Sequence, residues 1–307
     1  MQSRRRASLN SGPRPPECAL TRSGPVRIVS DEYSATENMI APETLEYLPT
    51  DGADYLRHTD FNRSPTHRNR LGCIVKMVGR CGPAQPRILE IGCGIGNISI
   101  PLASLGGTIT AIEPHEPSLQ IAASRNPFPN LTFKHQSLEE TELGAFDIII
   151  LTEVLEHVPD HKAMMKHLAH GMRPNARLIV TLPNGRSLTE RLCRPSYALK
   201  RTAAGTALVR AIKKLLGARD ITTANAATPH VHFFSLFEAD RLFTECGFDV
   251  LIFQRYFRHW LLKETFFTKY SHSEDAARSD FVKSQHIRPE KCSLWAFLLK
   301  PSGGGPS

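Results

Sequence analysis

Short apolar runs alternate with amphipathic stretches through the middle of the chain, and Gly, Pro or polar residues separate them. The runs predict strands, and the amphipathic stretches between them, at 97–105, 117–124 and 162–171, predict helices. Strands that alternate with helices indicate a parallel α/β sheet covered on both faces. Seven predicted strands follow in order at 88–91, 108–114, 131–133, 146–151, 177–182, 248–254 and 293–299.

A glycine loop follows the first predicted strand and precedes a predicted helix. Gly92, Gly94 and Gly96 permit positive φ angles and a close approach of the backbone to a ligand. A dinucleotide-binding loop has the spacing G-x-G-x-x-G, whereas this chain has G-x-G-x-G, with Asn97 where a third glycine would stand and the acid Glu90 before the loop. The spacing therefore weakens a nicotinamide or flavin interpretation.

An acid closes the second predicted strand. Glu113 lies beside the glycine loop if the two strands are parallel neighbours, because ligands of open α/β sheets bind at the carboxyl edge. A carboxylate at this position can accept hydrogen bonds from both hydroxyls of a ribose. The two features together predict a site for a ribose-containing ligand.

The pattern from Glu90 to Gly96, the acid at Glu113 and the segment F-D-I-I-I-L-T-E-V-L-E-H-V-P-D at 146–160 together resemble the class I S-adenosylmethionine-dependent methyltransferases. The motifs are most similar to the branch that contains the ubiquinone-biosynthesis O-methyltransferases, over about 70–184. The resemblance implies a Rossmann-like α/β fold with seven strands in the order 3-2-1-4-5-7-6. All strands of that sheet are parallel except strand 7, and helices cover both faces.

The resemblance also implies S-adenosyl-L-methionine as the methyl donor and a set of cofactor-binding residues. Arg70, in the pattern R-L-G before the loop, matches an arginine that lies near the cofactor, where a guanidinium pairs with its carboxylate. Ser137 and Leu138 match the polar and apolar positions that hold the adenine, and Thr152 ends the fourth strand. The expected cofactor-binding set is Arg70, Glu90, Gly92, Gly94, Gly96, Glu113, Ser137, Leu138 and Thr152.

Two carboxylates and an imidazole follow the fourth strand. Glu153, Glu156 and His157 have the spacing i, i+3, i+4, so a helix that begins at Glu153 would place all three on one face. That face would look onto the carboxyl edge of the sheet. The three residues are therefore the predicted catalytic group.

Three interpretations of this trio stay open. His157 is a general base oriented by the carboxylates, or the trio binds a divalent metal such as Mg, Mn or Zn, or the segment is only the strand-to-helix turn of the family. The resemblance favours the metal, because E-x-x-E-H matches the metal ligands of the ubiquinone-pathway enzymes and of small-RNA 2'-O-methyltransferases. His232, in the segment T-P-H-V-H-F-F-S, is the expected fourth ligand, in preference to His230.

The charge of the chain adds two basic segments to this picture. The chain has 307 residues and a net charge of +8. Its seven cysteines contain no C-x-x-C pair, and this spacing disfavours a zinc knuckle or a disulfide framework. Scattered free cysteines favour a reducing compartment such as the cytoplasm. No apolar run approaches the ~18 residues that a membrane span needs. Residues 1–32 are predicted to form a disordered basic tail, and prolines within them argue against the alternative of a transit peptide.

The remaining residues are predicted to form one methyltransferase domain at 33–300, followed by a flexible tail at 301–307. Within the domain, 33–80 is a helical cap, 86–184 the cofactor-binding core, 186–235 a basic lid insert, and 236–300 the last strands with an aromatic segment. The basic stretch 191–219 favours packing on its own domain, with peripheral contact to an anionic membrane as an alternative and nucleic acid as a weaker one.

The predicted function is methyl transfer from S-adenosylmethionine to the oxygen of a small or lipid-like hydroxyl or phenolic acceptor. An oxygen acceptor must lose a proton, which the E-x-x-E-H group would assist. The alternatives are a metal-dependent RNA 2'-O-methyltransferase and a cofactor-binding module without catalysis.

Overall fold

The protein is described by a computed structural model, which covers residues 65–187, 190–191, 202, 204–205, 207–208, 211, 230–257 and 274–303. The predicted tails at 1–32 and 301–307 and the basic stretch 191–219 lie wholly or largely outside these residues, as does 258–273 in the aromatic segment. The boundaries of the predicted domain and its parts therefore stay predictions.

The described part of the chain forms one seven-stranded sheet in the order β3-β2-β1-β4-β5-β7-β6. Neighbours are parallel from β3 to β5, whereas β7 pairs antiparallel with both β5 and β6. The strands are β1 (Arg87–Ile91), β2 (Thr108–Ile112), β3 (Leu131–Lys134), β4 (Ile148–Thr152), β5 (Arg177–Pro183), β6 (Phe248–Phe257) and β7 (Leu294–Pro301). The fold class predicted from the sequence is confirmed.

Six helices of five residues or more surround the sheet in the described ranges. They are α1 (Pro65–Cys81), α2 (Ser99–Ala103), α3 (Glu116–Arg125), α4 (His161–Gly171), α5 (Leu236–Glu245) and α6 (Glu274–Gln285). Short 3-10 helices lie at Leu143–Ala145, Leu155–His157 and Pro289–Lys291. None of the described helices combines the length and the apolar character that crossing a bilayer requires.

Alternate residues of the central strands pack on opposite faces of the sheet. Leu89 and Ile149 belong to a core cluster that includes α4 and α5, whereas Ile88 and Ile148 belong to a second cluster that includes α1, α2 and α3. Because strands alternate their side chains, a continuous apolar run supplies both clusters. The central strands are thereby held between two helical layers, and their carboxyl ends form a rigid edge for a site.

The structure differs from the prediction at the end of β4. The predicted helix does not begin at Glu153, because this residue has a left-handed φ of 54° and the next helical turn is the 3-10 helix Leu155–His157. That turn ends before Pro159, whose ring disfavours helical backbone at Val158, and Val158 is extended with φ −88° and ψ 119°. The full helix, α4, begins only at His161, after the cap Asp160.

Candidate functional site

The glycine loop turns sharply between β1 and α2. Gly92, Gly94 and Gly96 have φ angles of 71°, 54° and 80°, a region that residues with a Cβ adopt at a cost. A Cβ at Gly92 would lie 2.8 Å from Cγ2 of Val154, and one at Gly96 would lie 2.9 Å from the Phe133 ring. A Cβ at Gly94 would meet no atom of the described residues within 4 Å, so among these residues Gly94 borders open space above the loop.

Glu113 joins the end of β2 to this loop. One carboxylate oxygen accepts the backbone N–H of Gly94 at 2.9 Å, and the other accepts that of His115 at 2.9 Å. The residue is only 3% exposed. A carboxylate offers about four lone-pair positions, so these two bonds are compatible with further donors such as ribose hydroxyls.

A cation that the sequence analysis did not single out also holds the loop. Nη1 of Arg125, in the last turn of α3, donates to the carbonyl oxygen of Ile95 at 3.1 Å and lies 3.5 Å from Oδ1 of Asn97. The contact spans about thirty residues of sequence, so no local pattern could have revealed it. It ties the tip of the loop to the helix that follows β2.

Glu90 lies beneath the loop and is buried. Its carboxyl accepts the Ser99 hydroxyl, which fixes the start of α2 to the end of β1. Burial raises the pKa of Glu90 to about 7, against the hydrogen bonds from Ser99 and the charge of Arg70, which lower it. Glu90 therefore connects the strand before the glycine loop to the helix after it.

The residues predicted to hold the adenine lie just after β3. Leu138 is buried and belongs to the core cluster under α4, whereas Ser137 is half-buried. The backbone N–H of Ser137 donates to Glu140 and its carbonyl oxygen accepts from Thr141, both at 2.9 Å, so the segment forms a closed turn. Their roles toward an adenine ring stay predictions.

Arg70 lies on α1 and faces the turn after β4. It is buried, with Nη1 3.9 Å from a carboxylate oxygen of Glu153 and Nη2 in contact with Nδ1 of His67. Burial and the charge of Arg70 lower the pKa of His67, so this imidazole is neutral and accepts from the guanidinium. The structure thus places Arg70 at the predicted edge, with Glu153 as its acidic partner.

Glu153 has partners outside the predicted trio. Its Oε1 accepts the Thr181 hydroxyl at 3.0 Å, and its backbone N–H donates to the Thr181 carbonyl oxygen at 3.2 Å. Thr152, before it, has a buried hydroxyl without a hydrogen-bond partner among the described residues. The left-handed backbone at Glu153 directs its side chain to Thr181 and Arg70, and its role as a metal ligand stays a prediction.

Glu156 is fully buried, and neither carboxylate oxygen has a hydrogen-bond partner among the described residues. Burial and the charge of Glu153 raise the pKa of Glu156 well above its ordinary value. A buried carboxyl without partners is costly, and a proton or a bound cation relieves that cost. This orphaned carboxyl is the clearest sign of a ligand site in the described structure.

Two histidines approach Glu156. Nε2 of His157 lies 3.9 Å from Oε1 of Glu156, and the ring of His230 lies edge-on to the His157 ring, with the centroids 4.8 Å apart. One donor atom from each of Glu156, His157 and His230 lies within 4.8 Å of the others. The structure thus combines one oxygen and two nitrogen donors, a set that suits divalent Mn or Zn.

His232, the further ligand expected from the sequence, has other partners in the structure, and its role as a ligand stays a prediction. His232 Nε2 lies 3.1 Å from the carbonyl oxygen of Pro159, and its ring packs edge-on against His161 with the centroids 4.2 Å apart. The backbone N–H groups of Val231 and His232 both donate to the Glu156 carbonyl oxygen, at 2.8 and 3.1 Å. This attachment directs His230, and not His232, toward the cluster.

The sheet order, the glycine loop and the buried acid after β2 define the class I methyltransferase architecture. A family model described as "Methyltransferase domain" matches residues 56–251, which is more than half of the chain. The chain belongs to this methyltransferase domain family. It is a class I S-adenosylmethionine-dependent methyltransferase, as its motifs indicated.

Curated relatives are named ubiquinone biosynthesis O-methyltransferase. The protein from Xanthomonas axonopodis pv. citri is 33% identical over 130 residues, which cover 41% of this chain and 54% of that protein. The mitochondrial protein from Schizosaccharomyces pombe is 36% identical over 101 residues, which cover 31% of this chain and 37% of that protein. The chain thus matches about half or less of the length of these relatives.

A solved structure supports the fold alone. An S-adenosylmethionine-dependent methyltransferase from Mesorhizobium loti superposes with a TM-score of 0.50 at 12% identity, covering 78% of this chain and 99% of that one. At this identity the similarity concerns the architecture and not the substrate.

Proposed function

We propose that the chain transfers a methyl group from S-adenosylmethionine to a hydroxyl oxygen of a small or lipid-like acceptor, with a phenol as the best candidate. The observation that carries this proposal is the cluster of the half-buried His157 and His230 around the buried carboxyl of Glu156. A thiol or amine acceptor needs little help to become nucleophilic, whereas a hydroxyl must lose a proton as the new bond forms.

The donor loop and the cluster are adjacent because β1 and β4 are paired neighbours in the sheet. Gly92 in the loop lies so close to Val154, in the turn after β4, that an added Cβ would overlap its side chain. Methyl transfer is an in-line displacement, and an enzyme accelerates it mainly by holding donor and acceptor in line. The two turns provide the two sides of such a site.

The residues of the chain divide the work between donor and acceptor. Gly94 and Glu113 would hold the ribose end of the donor, and Arg70 would bind its carboxylate. His157 is half-buried and would take the proton of the acceptor hydroxyl. When bound, a divalent cation at Glu156, His157 and His230 would supply Lewis-acid polarisation of the acceptor oxygen. Proton transfer to His157 without a metal is the other form of this proposal.

Two observations support a lipid-like phenolic acceptor over other hydroxyls. The relatives that match the motif region are named for O-methylation in ubiquinone biosynthesis. The stretch 191–219, which follows β5, carries eight basic residues and no acid, with leucines between them, a composition that suits an amphipathic anionic compound.

Calorimetry with S-adenosylhomocysteine tests the donor site. We expect the wild-type chain to bind this product and Glu113→Ala to bind it about 10 to 100 times more weakly, because hydrogen bonds to a charged group contribute roughly 1.5–3 kcal/mol. Glu116→Ala is the matched control, since Glu116 is an exposed acid in the first turn of α3. No binding by the wild-type chain would refute the proposal.

A screen of radioactive methyl transfer tests the acceptor, with prenylated phenols, short phenols and RNA as separate arms. We expect incorporation into phenols, and Glu156→Ala and His157→Ala should each lower the rate about 100-fold or more. Loss of activity with EDTA and its return with Mn²⁺ would indicate the metal form, and full activity in EDTA would indicate the metal-free form. Incorporation only into RNA 3' ends would replace the phenol with a ribose hydroxyl as the acceptor.

A further inference from the structure

Glu190 contacts the cluster from a part of the chain that no motif indicated. Its Oε2 lies 3.2 Å from Nδ1 of His230, although the two residues are forty positions apart in sequence. The Glu190 side chain is 10% exposed and that of His230 16%. The contact is therefore largely shielded from water, where a hydrogen bond to a carboxylate is stronger than at the surface.

The backbone of Glu190 is fixed to the end of β5. Its N–H donates to the Ser187 hydroxyl at 3.2 Å, and the N–H of Ser187 donates to the Asn184 carbonyl oxygen at 2.9 Å. The Asn184 side chain in turn donates to the carbonyl oxygens of Glu290 and Cys292, both at 2.7 Å. The carboxylate of Glu190 thus extends from a fixed support.

His230 is constrained from its other side by Glu156. The two residues after it donate their N–H groups to the Glu156 carbonyl oxygen, so the backbone beside His230 is bound to the residue whose carboxyl it approaches. A donor atom of His230 lies within 4.8 Å of those of Glu156 and His157. Glu190 and Glu156 therefore hold the imidazole between them.

The chemistry of the Glu190 contact selects one form of the imidazole. A carboxylate oxygen only accepts hydrogen bonds, so Nδ1 of His230 must carry the proton. In a neutral imidazole the other nitrogen, Nε2, then carries the lone pair. When one ring nitrogen of a histidine faces a site, a carboxylate bound to the other nitrogen commonly sets the tautomer and the ring orientation.

We propose that Glu190 is a positioning residue that holds His230 in the Nδ1–H tautomer, so that Nε2 acts as the electron-pair donor of the Glu156 and His157 cluster. The role of this tautomer in methyl transfer rests on the proposed function. The tautomer itself follows from the contact and is independent of any substrate.

Long-range proton–nitrogen NMR of the protein with labelled histidines tests the proposal at neutral pH. The His230 signals are assigned by their absence in His230→Gln. We expect the wild-type chain to show His230 protonated at Nδ1 alone. In Glu190→Ala the Nε2–H form should become dominant, and Glu190→Gln, which retains an oxygen acceptor, should restore the Nδ1–H form.

His232→Asn is the matched control, because it changes the same segment but leaves the Glu190 contact in place. It should leave the His230 tautomer unchanged. The proposal is overturned if wild-type His230 is an imidazolium or carries its proton on Nε2. This measurement uses the wild-type chain alone, so it does not depend on whether a variant folds. The proposal is equally overturned if Glu190→Ala leaves the spectrum of His230 as it is.

The kinetic counterpart separates this inference from the proposed function. Glu190→Ala should lower kcat about 10 to 100 times and leave S-adenosylhomocysteine affinity unchanged, as expected of a residue that orients a ligand or base. A chain that transfers no methyl group would refute the proposed function while the tautomer measurement still decides the position of the proton.

Discussion

Buried acids at the carboxyl edge of the sheet differ in what surrounds them, and this sets the charge of the site. Glu90 has the Ser99 hydroxyl as a partner, and burial raises its pKa to about 7. The carboxylate oxygens of Glu156 have no hydrogen-bond partner among the described residues, and burial together with the charge of Glu153 raises the pKa of Glu156 well above its ordinary value. Glu156 therefore holds its proton more readily than an exposed glutamate does, and a bound cation would oppose this effect.

Replacement of Glu90 by Gln should remove a pH dependence of stability. The folded pKa of about 7 lies above the ordinary value of 4.5, so the folded state retains the proton longer than the unfolded state and loses stability as pH rises between these values. The shift corresponds to about 3 kcal/mol. We expect the free energy of unfolding of Glu90→Gln, relative to wild type, to rise by about this amount from roughly pH 4 to roughly pH 8.

Urea unfolding at a series of pH values measures this difference, and the comparison with wild type cancels the other titrating groups. Ser99→Ala is a second variant, because it removes the hydrogen bond that lowers the pKa of Glu90 and should therefore extend the pH dependence to higher pH. A difference between Glu90→Gln and wild type that stays constant with pH would show that Glu90 ionises normally in the folded protein.

At the residue scale, sequence reasoning identified positions that precede or follow strands but not their partners. Glu113 and Gly94 lie beside each other, as their positions after β2 and β1 predicted. Between His230 and His232, alternation indicated that only one would face the site. The sequence favoured His232, whereas among the described residues it is His230 that has a donor atom near Glu156 and His157. The attachment of this segment to Glu156 decides the question, and no local pattern encodes that contact.

At the scale of elements, positive φ angles shape both turns of the site. The loop after β1 has glycines at these positions, and glycine adopts positive φ angles at little cost. The turn after β4 has Glu153, which adopts a positive φ only at a cost in free energy. Strain at a non-glycine residue persists only where neighbours hold it, and Thr181 and Arg70 provide that support. The i, i+3, i+4 spacing of E-x-x-E-H predicted a helix that begins at Glu153. The spacing alone could not reveal that Glu153 has a left-handed backbone, which prevents a helix from beginning there.

Alanine at three glycines should separate strain, overlap and ligand contact. Gly92→Ala adds a φ penalty and an overlap with Val154, so we expect a loss of roughly 3 kcal/mol in the free energy of unfolding. Gly94→Ala adds only the φ penalty, about 1–2 kcal/mol, but places a methyl group in the space above the loop. Gly79→Ala, in α1, would place a Cβ with no atom of the described residues within 4 Å and should be neutral or stabilising by up to about 1 kcal/mol.

Denaturant unfolding gives the order of stability, and calorimetry gives the affinity for S-adenosylhomocysteine. If the donor binds on the open side of the loop, as we propose, Gly94→Ala should weaken its binding at least about 10-fold while the protein remains folded. Gly79→Ala should bind as wild type does. Unchanged affinity in Gly94→Ala would place the donor away from this side of the loop.

At the scale of the whole molecule, distant parts of the chain hold one another in place. Asn69 on α1 donates to the carbonyl oxygens of Tyr256, at the end of β6, and Ala277 on α6, both at 3.0 Å. These contacts join residues separated by 187 and 208 positions. The helix that carries Arg70 is thereby fixed to the strand and helix at the other end of the chain.

Asn69→Ala should destabilise the molecule by roughly 2–4 kcal/mol, because it removes a buried donor from two carbonyl oxygens. Urea unfolding measures the loss, and Asn175→Ala, at an exposed position before β5, is the control that should change stability by less than about 0.5 kcal/mol. Equal stabilities of the two variants would show that α1 is held by its apolar contacts alone.

The sequence by itself determined the strands, the loop and the acid after β2, and its motifs indicated the class. Apolar runs and glycines are local signals, and the order of elements along the chain carries the topology. Only the tertiary structure decided which side chains meet. His230 with Glu190, Arg125 with the loop, and Glu153 with Thr181 and Arg70 are contacts between distant segments, brought together by burial and hydrogen bonding. Residues far apart in sequence leave no periodic signal of such contacts, so the composition of the cluster had to come from the fold.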